Sequence, residues 1–312
     1  QPDWLWFKNR SASQSHAVFD SVRGALKRLS PNEVGAEGTE NTNLDSFDSN
    51  GFTVDNEAIV NGNGNNMVAW GWKAGTSFTN DASATSVGSI DSTGSTNSTA
   101  GFSILKYTGT GSSATVAHNL GAVPHFMLFK SMDASENWVV YHQSNGAGGY
   151  IYLNTTAGAG SGNTTIFNNT NPTSSVFTIN TDGNINNSGD DYIAYCFAEK
   201  QGYSKFGSYT ATGSADGNFI YTGFAPKFII MKRTDTSGYN WVMYDDKRNT
   251  YNPWTNLLLP NLNNAEITSG GAIDFLSNGF KLRSSSGANP TTNQGTIIYM
   301  AFGQSLVGTN NI

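Results

Sequence analysis

The chain has 312 residues, of which only 13% are charged, and carries a net charge of −6. With no basic run to displace counterions from phosphates, the charge balance argues against a nucleic-acid binder. No stretch of about 20 apolar residues exists, which excludes a helical membrane span. Gly contributes 35 residues and aromatics 12%, beside abundant Asn, Ser and Thr. Turn formers with aromatics and few charges describe an all-β protein rather than one built on amphipathic helices. The opening at Gln1 reads as a truncated or processed start. The single cysteine, Cys196, lies in an apolar strand-like run and is expected to be a buried thiol.

In chain order, the first strand pair is Trp4–Lys8 with His16–Asp20, followed by Ala25–Leu29. Leu44–Val54 is a hairpin turned at Asn50-Gly51, because both residues tolerate positive φ. Met67–Trp72 closes this first module, residues 1–75. Residues 76–100 are rich in Gly, Ser, Thr and Asn and nearly devoid of apolar side chains, which predicts a flexible or loosely packed linker. A second module, 101–201, opens with Phe102–Thr108 and Ala114–His118. It continues through Phe126–Lys130, Trp138–His142, Tyr150–Leu153 and Ser175–Ile179 to Tyr192–Ala198. The third, 202–312, repeats that order from Tyr203–Thr210 to Thr296–Phe302.

The repeat is most visible in one hairpin. Pro124-His125-Phe126-Met127-Leu128-Phe129-Lys130 precedes Trp138-Val139-Val140-Tyr141-His142, and equivalent runs begin at Pro2 and Pro226. Recurrence at about a hundred residues predicts an array of similar domains. Each full module holds seven or so short strands with turn signals between them, so the expected fold is tandem antiparallel β-sandwich modules of jelly-roll, Ig-like or lectin-like type. Module one lacks the two opening strands of the others and is expected to be N-terminally incomplete, with an open edge that invites pairing from a neighbour.

Several further runs carry a family likeness: Trp6 to Gly24, Phe47-Asp48-Ser49-Asn50-Gly51-Phe52, Val68 to Gly75, and Tyr192 to Phe197. Together they resemble a repeat of bacteriophage tail-fibre and related virion structural proteins. The resemblance implies a phage appendage that attaches to host-surface polysaccharide, located on the virion and extracellular after release. It also implies contact with other virion proteins and a homo-oligomer, with three copies the first expectation. It carries no catalytic residues. A polysaccharide-degrading tailspike-like enzyme and a purely structural fibre or capsid decoration are the alternatives.

Catalytic chemistry finds little support in the residues. The four histidines have no Gly-x-Ser-x-Gly elbow beside them. Asp190-Asp191 and Asp245-Asp246 are adjacent pairs, whose side chains on a strand point to opposite faces. A glycosidase needs both carboxyls on one sugar. No enzyme activity, cofactor or metal site is therefore expected. The remaining signal is a set of aromatics in loops specific to module three. Tyr239, Tyr251 and Trp254, with Asp245 and Arg248 nearby, are the expected ligand-binding residues, because flat rings stack on sugar C–H groups while polar neighbours take the hydroxyls.

Overall fold

The computed structural model describes residues 1–269, 271–285 and 295–303. The chain is all-β, with antiparallel sheets packed as sandwiches and only three single-turn helices among the described residues. It divides into two compact units. The first contains residues 1–155, 160–198 and 261–265; the second contains 156–159, 199–260 and the described residues from Glu266 on. The span expected for module one and most of that for module two thus lie in the first unit, while residues 156–159 and 199–201 of module two and most of module three lie in the second. Parts of the last span, after 303 and over 286–294, fall outside the described residues.

The first unit begins with strands β1 (Trp4–Asn9), β2 (Ala17–Asp20), β3 (Gly24–Leu29) and β4 (Gly38–Thr39). A hairpin of β5 (Leu44–Asp48) and β6 (Gly51–Val54), helix α1 (Ala58–Asn61) and β7 (Met67–Trp72) follow. One sheet has the order β4-β3-β2-β1-β7, so β7 lies at an edge. Next come β8 (Thr76–Asn80), α2 (Ala82–Thr85), β9 (Ser92–Asn97), β10 (Phe102–Thr108), β11 (Ala114–Ala117), β12 (Phe126–Ser131) and β13 (Val139–His142). The unit is completed by β14 (Ile151–Tyr152), β15 (Val176–Ile179), α3 (Gly183–Asn186) and β16 (Asp191–Phe197). These build a seven-stranded sheet, β14-β13-β12-β16-β10-β9-β8, with β11 and β15 paired separately.

The two large sheets meet through aromatic side chains. The Trp4 ring lies 4.9 Å from Tyr195 and 5.8 Å from both Phe102 and Phe197, centroid to centroid. The opposite face of the five-stranded sheet holds Leu5, Phe7, Phe19, Leu44 and Ile59. That of the seven-stranded sheet holds Leu105, Met127, Phe129, Phe177 and Ile185. Both sheets are therefore covered on both faces. This explains why β1 and β12 read as unbroken apolar runs rather than alternating ones, and why every residue of each is buried.

The stretch 76–100 corrects the sequence-based expectation of a linker. Β8 and β9 pair from Thr76↔Thr96 to Asn80↔Ser92, and β9 pairs with β10 from Phe102↔Asn97 onward. Ser and Thr cannot fill a core, yet they satisfy a sheet ladder as well as any residue, and Gly94 fits where a Cβ would lie 2.0 Å from the Ile104 carbonyl oxygen. Asp81 caps the intervening helix by accepting from the N–H groups of Ser83 and Ala84.

In the second unit, β17 (Ser204–Thr210), β18 (Phe219–Tyr221), β19 (Pro226–Arg233), β20 (Val242–Asp245), β21 (Ile273–Leu276), β22 (Gly279–Leu282) and β23 (Thr296–Gly303) form two sheets, β17-β23-β19-β20 and β18-β22-β21. They pack through Phe280, 5.4 Å from Tyr299 and 6.4 Å from Tyr209.

Two polar devices recur with the repeat. Lys8, Lys130 and Lys232 are the last residue but one of the first hairpin strand of each copy and are buried. Each ammonium caps its own hairpin loop. Lys8 Nζ donates to the Asn9 and Gln14 carbonyls at 2.8 and 2.7 Å, Lys130 Nζ to Ser131 and Ala134 at 2.8 and 3.0 Å, and Lys232 Nζ to Tyr239 at 2.7 Å. Burial pulls all three down to about 8. The second device is an Asp-x-x-Arg turn at the end of the second hairpin strand. Asp20 Oδ2 accepts from Arg23 Nε at 2.6 Å, while Arg23 also reaches Glu37 at 3.1 Å and the Val18 carbonyl at 3.2 Å. Burial opposes the Arg23 charge, but Asp20, Tyr195 and Glu37 outweigh it and raise its pKa.

Candidate binding site

The five residues expected to bind ligand divide sharply. Asp245 and Arg248 form the second unit's copy of the Asp-x-x-Arg turn. Asp245 Oδ1 accepts the N–H groups of Lys247 and Arg248 at 3.0 and 3.1 Å, and Oδ2 accepts from Arg248 Nε. Arg248 Nη1 reaches Glu266 at 2.7 Å and Nη2 the Met243 carbonyl at 3.1 Å. The two side chains are 4% and 2% exposed. They correct the expectation: their hydrogen-bonding capacity is spent inside the fold, where a ligand has no access. The sequence signal that identifies them is the identical spacing at Asp20 and Arg23. In the second copy His142 takes this position, and its Nδ1 accepts from the Ser144 N–H at 3.1 Å, as a carboxylate oxygen does elsewhere.

Tyr239 is also structural. It is half-buried, with the Arg233 guanidinium 4.5 Å over its ring and its carbonyl on Lys232. Trp254 is 7% exposed, packs edge-on against Phe275 at 5.5 Å and donates its backbone N–H to the Ile273 carbonyl. It forms a wall rather than an exposed platform. Tyr251 alone stands out from the surface, at 78% exposure.

Tyr251 and Trp254 nevertheless share one cleft of about 430 Å³, whose lining includes Lys227, Asp246, Asn252 and Phe275. Each element is held. The Asn252 amide donates to the Phe275 carbonyl and accepts from its N–H, both at 2.9 Å, which fixes the loop between Tyr251 and Trp254 against β21. Lys227 and Asp246 form an ion pair at 2.6 Å on the rim, and Lys247 lies 3.9 Å from the same carboxylate. At 41% exposure the Lys227 side chain remains open to an anionic or hydroxylated ligand. The cleft thus presents an exposed ring, an apolar wall and a charged rim, an arrangement that can hold a sugar by stacking and hydrogen bonding.

Reasoning from residue type reaches Asp246, in the charged run 245–248 just upstream of Tyr251, but misses Lys227. The repeat contains their signal. The residue after the hairpin proline and the residue after the first residue of the turn share a backbone hydrogen bond in every copy: Ser21 to Asp3, Gln143 to His125, and Asp246 to Lys227. Among the described residues, no three His, Cys, Asp or Glu side chains are grouped to hold a metal.

No curated protein and no solved structure matches the chain. One family model matches residues 1–305, and the chain accordingly belongs to the DUF7483 family, described as a domain of unknown function.

Proposed function

We propose that this chain is a non-catalytic binding protein that attaches to carbohydrate through the Tyr251 cleft. The observation that carries this reading is the 78% exposed Tyr251 ring beside an apolar wall and the Lys227–Asp246 ion pair. What supports contact with a ligand is the combination of the ring with a concave apolar wall and polar groups at its rim, the make-up of a ligand site. The setting we propose is a phage appendage, a tail fibre meeting host-surface polysaccharide. Its support is the likeness of the repeat runs to virion structural proteins. Stacking on one ring contributes about 0.5–1.5 kcal/mol beyond burial, so single-site affinity is weak. Attachment then depends on several copies, for which a homotrimer is the proposed assembly.

The test is Tyr251→Ala on a glycan array and in binding to intact host cells. Trp254 is unsuitable for it, because removing a buried wall changes stability as well. We expect array and cell binding to fall at least several-fold, with the thermal midpoint moving by no more than about 2 °C. Unchanged binding by Tyr251→Ala, or release of reducing ends from host polysaccharide by the unmodified protein, would refute the reading.

A further inference from the structure

The first unit contains a second cleft, of about 360 Å³, in the size range of ligand pockets. One wall is the edge of β8 with Phe78 and Thr79. The others are the turn after β11 with Asn119, the approach to β15 with Ser174 and Ser175, and Val87 beyond α2. Phe78 is half-buried, its ring packed against the core of the seven-stranded sheet, so the aromatic surface it offers is fixed.

The polar lining has two features. Among the described residues, no charged side chain or histidine contributes to it. Asn80 and Thr85 are satisfied by each other and by the Val87 carbonyl, at 2.9 and 2.8 Å. By contrast, the side chains of Thr79, Asn119, Ser174 and Ser175 make no hydrogen bond within the described residues. Three hydroxyls and one amide, each both donor and acceptor, thus border a fixed ring.

The walls are held in place by a buried histidine behind them. His118 Nδ1 accepts the Leu120 N–H at 3.3 Å, while its Nε2 meets the Thr173 carbonyl at 3.1 Å and its backbone N–H reaches the Ser175 carbonyl at 3.2 Å. One side chain therefore ties the 119–121 turn to the 173–175 segment. Asn119 takes a left-handed conformation, φ 55°, with its carbonyl on Thr96.

From this geometry we infer that the cleft is a second binding site, specific for an uncharged saccharide ring. A charged ligand would find no counter-charge here. A purely apolar one would bury the free hydroxyls and amide without partners. A neutral sugar stacks on Phe78 and exchanges its hydroxyls with the rim. This site differs from the Tyr251 cleft, whose rim is charged, and stands independently of it.

The experiment uses the full chain and ligand-observed saturation-transfer NMR. The probes are methyl glucoside, methyl galactoside, methyl mannoside and N-acetylglucosamine, with glucuronate as the charged comparison. Asn119→Gly removes the amide while keeping a residue at ease with positive φ. Ser174→Trp fills the cleft from an exposed position. We expect at least one neutral probe to bind, with Tyr251→Ala unaffected; in the Tyr251→Ala background, where the other cleft is disabled, that binding should weaken about tenfold with Asn119→Gly and vanish with Ser174→Trp. Three results would each overturn the inference: no neutral probe binding, binding that survives both cleft variants, or binding lost in Tyr251→Ala. The last would place the sugar in the other cleft, so the two assignments fail separately.

Discussion

The Asp-x-x-Arg turn gives the sharpest test of how the repeat is held together. Arg248→Met removes the guanidinium and leaves the Asp245 and Glu266 carboxylates facing each other across a site that is almost closed to water. Breaking a buried ion pair from one side costs about 3–5 kcal/mol, because the remaining charges stay desolvated without a partner. That is a large share of the 5–15 kcal/mol or so that holds a domain folded. Arg248→Lys keeps the charge but loses the fork that serves Asp245, Glu266 and the Met243 carbonyl together, and should fall between Met and the parent. Urea unfolding followed by tryptophan fluorescence measures the loss, with Arg23→Met as the parallel variant in the first unit. Glycan binding by the folded fraction should be unchanged. If Arg248→Met unfolds within about 1 kcal/mol of the parent and loses binding instead, the arginine serves a ligand and the structural assignment is wrong.

Two further predictions address the first unit. Burial holds His118 at about 4, against the ordinary 6.5, although the Thr173 carbonyl opposes the shift. Because the folded value is depressed, the stability linked to His118 is fully present above pH 6.5 and is lost as pH falls toward 4, by about 3 kcal/mol at most. Thermal midpoints between pH 7 and 4 should decline less steeply in His118→Asn, and identical slopes would refute the linkage. Second, residues 76–97 should resist limited proteolysis as well as β10 does, since β8 and β9 are paired along their length. Early cleavage inside this stretch would contradict the pairing.

The sequence revealed the strands because their signals are local. Asn50-Gly51 turns a hairpin, and the three proline-led runs fall on β1, β12 and β19. It misjudged 76–100 because composition measures how much apolar surface a segment can bury. A strand inside a sheet is held by its backbone ladder, and Thr, Ser and Gly supply that as well as Val does. It also misjudged Asp245 and Arg248 by reading charge as exposure. Charge at a strand end is equally a sign of a backbone carbonyl or N–H that needs a partner. The identical spacing at Asp20 and Arg23 distinguished the two cases, since a feature present in two modules points to the frame and not to one module's ligand. Trp254 was half legible: it belongs to the cleft, but as wall.

The same comparison explains where recognition is free to vary. The buried ammonium on the hairpin carbonyls and the side chain that caps the turn leave few unsatisfied groups inside any copy. Changing them is costly in every module. The pair of positions beside them, after the proline and after the turn's first residue, is joined in every copy through the backbone, by the bond from Ser21, Gln143 or Asp246 to the facing carbonyl. A backbone bond places no demand on side-chain identity. These positions accordingly hold Asp3 with Ser21, His125 with Gln143, and Lys227 with Asp246, a hydroxyl-to-carboxylate hydrogen bond in one copy and an ion pair in another. In the second unit that freedom coincides with the loop that raises Tyr251, and the two together make the charged cleft. A repeat of this kind can acquire a new binding surface by changing side chains at positions where the bond common to all copies is a backbone one.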